Sequence, residues 1–159
     1  MTTPTAEPEV TARAASSSAE SLPGSDLHTA ALAVFETMYR GYLDRDTARI
    51  DALLDDGFTM FDSASFSLVV GFEELAVLRG GRGASSSGVT ETGLLIQDFR
   101  VFERGADVLA CFVLEVTMAA ADGSPVDSEL SRNTAWLTRR THGLGIRHIH
   151  EDVWRPAGE

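Results

Sequence analysis

The first half of the chain shows the spacing of apolar residues that is typical of helices. Between residues 27 and 43 these residues recur three and four positions apart, which places them on one face of a helix. Ser25 or Asp26 can cap this helix, because either side chain accepts a hydrogen bond from a free first-turn amide. A second helix is predicted over residues 47–54, and Gly57 suits a left-handed cap after it.

The middle of the chain alternates between short apolar runs and turn residues. Two short strands are predicted over residues 58–61 and 66–70, joined by a polar turn. A third helix is predicted over residues 72–79. Residues 80–88 are rich in Gly and Ser, which predicts a flexible linker or, as the alternative, a lid over a pocket.

After residue 92 the period of the apolar residues changes to two. This alternation predicts four long strands over residues 92–104, 107–121, 128–140 and 146–154. Because the helices come first and the strands follow them, the pattern predicts an α+β fold in which the helices are segregated from a mainly antiparallel sheet.

The composition narrows the classes of function. The chain has 159 residues, of which 13 are basic and 24 acidic, and its formal net charge is −11. The length favours one domain. The negative charge argues against a nucleic-acid partner and against an anionic membrane surface. No lysine is present, so mechanisms that need a lysine Schiff base or a phosphate-binding lysine are excluded.

The first 25 residues lack the apolar core that a signal peptide needs. Their Pro, Ser, Thr and Glu content predicts a disordered tail over residues 1–25, followed by one folded domain over residues 26–156. The most apolar stretch is too short to span a bilayer. Cys111 is the only cysteine, which fits a reducing compartment, and we expect a cytoplasmic protein in which this thiol packs in the interior.

Two passages resemble a known family. Residues 45–62, which include Leu53-Leu54-Asp55-Asp56-Gly57-Phe58, resemble a helix-to-strand segment of the nuclear transport factor 2-like superfamily. Arg132-Asn133-Thr134, followed by Ile146-Arg147-His148-Ile149-His150, is similar to the ending of its SnoaL-like branch. Over residues 27–155, the resemblance implies a cone in which three helices lie inside a strongly curved, mixed and mainly antiparallel sheet around an apolar pocket. It also implies a homodimer formed through the outer face of that sheet.

The resemblance implies roles for three polar residues. Asp62 falls where ketosteroid isomerases, a branch of the superfamily, keep their catalytic base. Tyr39 or Tyr42 then corresponds to the tyrosine of the oxyanion hole, and its usual aspartate partner falls near Ala135. From the residues alone, Asp62 is either a carboxylate in an apolar pocket, where desolvation raises its pKa, or the cap of a turn. The two tyrosines either bind substrate or pack between helix and sheet.

His148 and His150 are two positions apart on a predicted strand, so their side chains point to the same side. Such a pair can act as general acid and base or contribute to a metal site. A metal site needs a third ligand, which no spacing in the chain requires, and we expect no metal. The alternatives for the pair are a satisfied polar interior and a contact between two copies of the chain.

Arg132, Thr134 and Trp136 share one face of the preceding strand and are candidates for substrate binding. Glu115 is the one charge in a very apolar strand, where a carboxylate should be paired or neutral. It is therefore a candidate pocket acid. The alternative is an ion pair of Arg132 with Glu115 or Asp152.

Together with these residues, the resemblance implies a small cofactor-independent enzyme of bacterial natural-product metabolism. By the resemblance, it would bind an apolar polyketide-like or terpenoid-like substrate and catalyse its isomerisation, dehydration or cyclisation, with Asp62, His148 and His150 moving protons. The alternative is a non-catalytic module that binds a small molecule or associates into dimers. The two hypotheses differ in whether the polar candidates converge on one cavity.

Overall fold

The computed structural model describes residues 19–63, 65–81 and 88–155. The helices are α1 (Asp26–Leu43), α2 (Thr47–Asp51) and α3 (Gly71–Gly81). The strands are β1 (Glu20–Ser21), β2 (Leu54–Phe61), β3 (Val69–Val70), β4 (Val89–Arg104), β5 (Asp107–Ala120), β6 (Pro125–Arg139) and β7 (Leu144–Val153). No helix in these ranges is both long and apolar enough to cross a bilayer.

The strands form one curved seven-stranded sheet in the order β1-β4-β5-β6-β7-β2-β3. Neighbouring strands are antiparallel except β2 and β7, which run parallel. The predicted α+β class with a mixed, mainly antiparallel sheet is therefore confirmed. The parallel pair brings the ends of β2 and β7 to the same edge of the sheet.

Helix α1 begins where the sequence predicts. The side chain of Ser25 accepts a hydrogen bond from the amide of His28 at 3.3 Å, which satisfies one of the free first-turn donors. The buried face of the helix carries the predicted apolar stripe and contacts the sheet, with the rings of Phe35 and Phe112 4.7 Å apart. Burial of this stripe, rather than local helix propensity, fixes α1 against the sheet.

The core lies on one side of the sheet. On β5 the residues in phase with Phe112 are buried, whereas those in the other phase are partly exposed. We call the side that carries Phe112 and contacts α1 the helix side, and the opposite side the outer side. The buried members of the helix side include Val108, Ala110, Leu114, Ala135, Leu137 and Ile149.

The boundary between α2 and β2 differs from the prediction. Helix α2 ends at Asp51, and Leu54, which was predicted to be helical, starts β2 in register with Ile146 of β7. Gly57 lies inside the strand and has no positive φ. Tertiary contacts override the helical pattern here, because the amide of Ile146 donates to the carbonyl of Leu53 at 2.8 Å.

The predicted disordered tail is wrong at its C-terminal end. Glu20–Ser21 pairs with β4, and the guanidinium of Arg100 donates to both carboxylate oxygens of Glu20 at 2.8 and 2.7 Å. Residues 1–18 lie outside the described part of the chain. Most of the predicted linker or lid, residues 82–87, also lies outside it. The predicted strand over residues 66–70 is reduced to Val69–Val70.

Candidate active site

A cleft of about 390 Å³ opens where the parallel strands β2 and β7 end, and we call it the strand-end cleft. Asp62 and His150, two of the three predicted catalytic residues, both line it. Glu151, which is not among the predicted site residues, also lines it. The complete lining comprises Phe61, Asp62, Ser63, Ser65, Phe66, His150, Glu151, Asp152, Val153 and Arg155.

Glu151 faces the helix side of the sheet, because it is the direct partner of the buried Asn133 across the antiparallel pair β6–β7. Its neighbour His150 is in the opposite phase and faces the outer side. The carboxylate of Glu151 accepts a hydrogen bond from the hydroxyl of Ser63 at 3.0 Å. Glu151 therefore connects the strand-end cleft to the interior of the fold.

Tyr39 lies in that interior, on the buried face of α1. Its ring meets Phe112 edge-on, with centroids 6.2 Å apart. Burial raises the pKa of the Tyr39 hydroxyl well above its ordinary value, and the negative charge of Glu151 raises it further. The phenol thus stays neutral and able to donate, and within the described residues its oxygen has no hydrogen-bond partner.

Asn133 is the second residue that the sequence analysis missed. It is 3% exposed and lies on β6 between Phe112 of β5 and Glu151 of β7. Its Nδ2 donates to the hydroxyl and the carbonyl of Ser131, at 3.1 and 3.4 Å. The sequence contains a signal for Asn133, because it is in phase with the apolar residues Ala135 and Leu137. The residues predicted on this strand lie on its other face.

The outer side holds most of the other predicted residues. His148 and His150 pair with Trp136 and Thr134 across β6–β7, and their alternation with the buried Ile149 places all four there. Arg132 pairs with Asp152 in the same row, and the two form an exposed ion pair. Of the alternatives for Arg132, the contact with Asp152 is the one observed. A second depression of about 260 Å³ is lined by Arg132, Thr134, His150 and Asp152.

His148 has a defined environment on the outer side. Its Nδ1 and the hydroxyl of Thr59 are hydrogen-bonded at 2.8 Å. The ring of Phe61 lies next to both histidines, with centroid distances of 6.4 Å to His148 and 5.4 Å to His150. Burial lowers the pKa of His148, and the positive charge that His150 can carry lowers it further.

Two predicted residues lie away from the cleft. Glu115 lies on β5 in the phase opposite to Phe112, hence on the outer side, and its carboxylate accepts from the amide of Gln97 at 2.6 Å. It does not line the strand-end cleft, and its role as a pocket acid stays a prediction. Tyr42 is exposed at the end of α1, unlike Tyr39.

In the described ranges, no group of three or more His, Cys, Asp or Glu residues is arranged to hold a metal ion.

The predicted residues therefore fall into two groups. Asp62, Glu151 and His150 line the strand-end cleft, and Glu151 lies on the helix side, as Tyr39 does. His150 faces the outer side and also lines the second depression. Arg132, Thr134, Trp136 and His148 lie on the outer side and do not share that interior. The catalytic roles of His148 and His150 stay predictions.

Comparison with protein-family models and with curated protein sequences finds no match to this chain. Solved structures do match it in fold. ActVI-ORFA from Streptomyces coelicolor has a TM-score of 0.68 and 15% identity, over 80% of this chain and 96% of that chain. The CaMKII hub of S. rosetta has a TM-score of 0.66 and 18% identity, over 84% of this chain and 100% of that chain.

An NTF2-like protein of unknown function from Pseudomonas putida KT2440 has a TM-score of 0.65 and 17% identity, over 82% of this chain and 89% of that chain. The chain therefore has the nuclear transport factor 2-like fold. At this level of identity the likeness concerns the fold, and one fold carries many activities. The function depends on the residues of the site and not on the fold alone.

Proposed function

We propose that this chain is a small cofactor-independent enzyme that moves protons beside a carbonyl group, in an isomerisation, dehydration or cyclisation. The substrate class we propose is the apolar polyketide-like or terpenoid-like one. One observation carries the proposal: Asp62, Glu151 and His150 line one cleft, and Glu151 lies on the helix side of the sheet, as does the buried Tyr39.

The roles follow from position. A base and the donor that stabilises the resulting enolate must both reach the same carbonyl-bearing group. Glu151 is the cleft carboxylate that lies on the same side of the sheet as Tyr39, so we assign Glu151 the removal of the proton. We assign Tyr39 the hydrogen bond to the carbonyl oxygen. Asp62 and His150, at the cleft, return the proton or pass it to a leaving hydroxyl. A placed proton-transfer group contributes about 10² to 10⁴ in rate.

Exchange of carbon-bound protons with heavy water tests the roles of Glu151 and Tyr39 and does not require the natural substrate to be known. Deoxybenzoin, an apolar ketone with exchangeable protons beside its carbonyl, is incubated with the protein in D₂O and followed by NMR. We expect exchange above the buffer rate, lowered at least tenfold in Glu151→Gln and in Tyr39→Phe. Glu115→Gln, a matched change on the outer side, should leave the rate unchanged. Equal rates in the wild type and Glu151→Gln would refute the assignment.

A second candidate is association of two copies through the outer side. Trp136 and Phe61 leave 40% and 38% of their surface exposed there, and exposed aromatic side chains of this kind are enriched in interfaces. The CaMKII hub and the association domain of C. elegans CaMKII share the fold. The candidate predicts a homodimer and is compatible with catalysis on the helix side.

Sedimentation equilibrium tests the association. We expect twice the mass of one chain for the wild type and the mass of a single chain for Trp136→Arg. Val77→Arg, at an exposed apolar position of α3, is the control and should remain dimeric. A wild type that sediments as one chain would end this candidate.

A further inference from the structure

Two polar side-chain atoms in the described part of the chain are buried without a hydrogen-bond partner: Oη of Tyr39 and Oδ1 of Asn133. Buried polar atoms are nearly always hydrogen-bonded, because they lose their contacts with water on folding. Each of the two therefore points to a partner outside the described residues, and a bound ligand is such a partner.

The two atoms belong to one location. Asn133 is the direct neighbour of Phe112 on β5 and of Glu151 on β7. Tyr39 is buried on the helix side and its ring meets that of Phe112 edge-on. Tyr39 thus lies against the row formed by Phe112, Asn133 and Glu151 at its Phe112 end.

The contacts of the Asn133 amide fix which end of it faces a ligand. Its amide group is within hydrogen-bond reach of the hydroxyl and the main-chain carbonyl of Ser131. A carbonyl only accepts, so the group facing it must be Nδ2, the donor. The group left over is Oδ1, which only accepts and therefore needs a ligand that donates.

Tyr39 requires the complementary group. A neutral phenol donates its proton to a carbonyl oxygen, the role assigned to it above. The surroundings are aromatic, since Phe112 also contacts Phe35 and Phe99, with centroids 4.7 and 5.5 Å away. An apolar molecule that carries one donor and one acceptor fits this set of groups.

We propose that Asn133 determines specificity, and that the substrate is an apolar hydroxy-carbonyl compound whose hydroxyl donates to Oδ1 of Asn133 while its carbonyl accepts from Tyr39. The inference rests on the proposed function for the location of the site and goes further in naming the substrate class. Asn133 binds the group that does not react. It selects hydroxyketones over simple ketones of the same shape.

Three aryl ketones test the inference with the full chain: benzoin, which has the hydroxyl; benzoin methyl ether, which has the oxygen without its proton; and deoxybenzoin, which has neither. Isothermal titration calorimetry gives the dissociation constants. We expect the wild type to bind benzoin about tenfold or more tightly than either analogue, because an analogue without the donor leaves Oδ1 buried and unpaired.

Asn133→Leu, which keeps a similar volume and removes the acceptor, should bring the ratio of benzoin to deoxybenzoin close to one. If that variant does not fold, Asn133→Ala serves instead. It also removes the acceptor, through a smaller side chain, and the preference for benzoin should fall in the same way. An unchanged preference in a folded Asn133→Leu variant would overturn the inference.

The outcomes separate this inference from the proposed function. Loss of proton exchange in Glu151→Gln with a retained preference for benzoin supports both. A preference for benzoin in a protein that exchanges no protons supports the binding inference and refutes the enzymatic proposal. Equal affinities of the wild type for all three compounds, or no binding of benzoin at millimolar concentration, would mean that only water meets Tyr39 and Asn133, and would overturn the inference.

Discussion

Gly145 lies in β7 where the structure leaves no room for a side chain. A Cβ atom at this position would be 2.1 Å from Nε of Arg140 and 2.3 Å from Oδ1 of Asp55. Gly145 has no positive φ, so the constraint is space and not backbone conformation. Gly145→Ala must therefore displace the ion pair between Arg140 and Asp55.

That ion pair joins the start of β2 to the hairpin between β6 and β7. Arg140 donates twice to Oδ1 of Asp55, at 2.9 and 2.7 Å, and also to the carbonyls of Ala52 and Leu53, at 2.8 and 3.2 Å. The hydroxyl of Thr138 donates to the other carboxylate oxygen.

The loss in free energy of unfolding that we expect for Gly145→Ala lies between two limits. Exposed ion pairs contribute about 0–1 kcal/mol, whereas breaking a buried pair costs about 3–5 kcal/mol. The side chains of Arg140 and Asp55 are 31% and 24% exposed, so we expect Gly145→Ala to lower the free energy of unfolding by about 2 kcal/mol. In a chain of this size that corresponds to a fall in Tm of about 4–8 °C.

Urea and thermal unfolding measure the effect, and a double-mutant cycle identifies its cause. In an Arg140→Ala background only the Asp55 carboxylate still obstructs the alanine at 145, so the cost of Gly145→Ala should fall to about 1 kcal/mol or less. Gly57→Ala is the matched control within β2, because a Cβ there meets nothing within 4 Å. A cost for Gly145→Ala that is the same with and without Arg140 would refute the reasoning.

Further predictions concern titration and the helix cap. The pKa of Tyr39 is raised, so above about pH 10 the unfolded chain loses this proton first and stability should fall as pH rises. In Tyr42→Phe, where Tyr39 is the only tyrosine, phenolate absorbance should appear only as the protein unfolds; phenolate in the folded protein near pH 10 would contradict this. The pKa of His148 is lowered, so below about pH 6.5 the unfolded chain binds the extra proton and stability should fall with pH. His148→Gln should flatten that dependence in urea melts, and His142→Gln should not; equal curves for the two variants would be the contrary result. Ser25→Ala should lower the free energy of unfolding by about 1 kcal/mol through loss of the α1 cap, whereas an unchanged urea midpoint would show that the cap contributes nothing.

The fold class could be predicted from the sequence because it depends on the period of the apolar residues and on the order of the helices and strands. Both are visible in the chain itself. The stripe of α1 and the alternation of β5 can be read directly from the chain, and the structure has both. The start of β2 could not be predicted in this way. Leu54 continues a helical pattern, and only its pairing with Ile146, almost a hundred residues later, makes it a strand.

The site was harder to predict than the fold because alternation does not say which phase faces the core. On β7 the predicted site residues are the histidines, because they can titrate, and they lie on the outer side. On β6 the predicted residues Arg132 and Trp136 also lie on the outer side, whereas Asn133 lies on the helix side. Apolar residues in the same phase were the available guide: Ile149 marks the phase of Glu151, and Ala135 marks that of Asn133.

Because His150 and Glu151 are adjacent in the chain, an experiment can show on which side of the sheet the proposed reaction occurs. The two residues are consecutive in β7, so their side chains leave the strand on opposite sides although both line the strand-end cleft. A reaction on the helix side depends on Glu151 and Tyr39, with His150 supplying protons that solvent can partly replace. A reaction on the outer side depends on His148 and His150 and does not require Tyr39. The ratio of the exchange rates in Glu151→Gln and His150→Gln therefore reports the side of the sheet on which the chemistry occurs, independently of which natural substrate the protein uses.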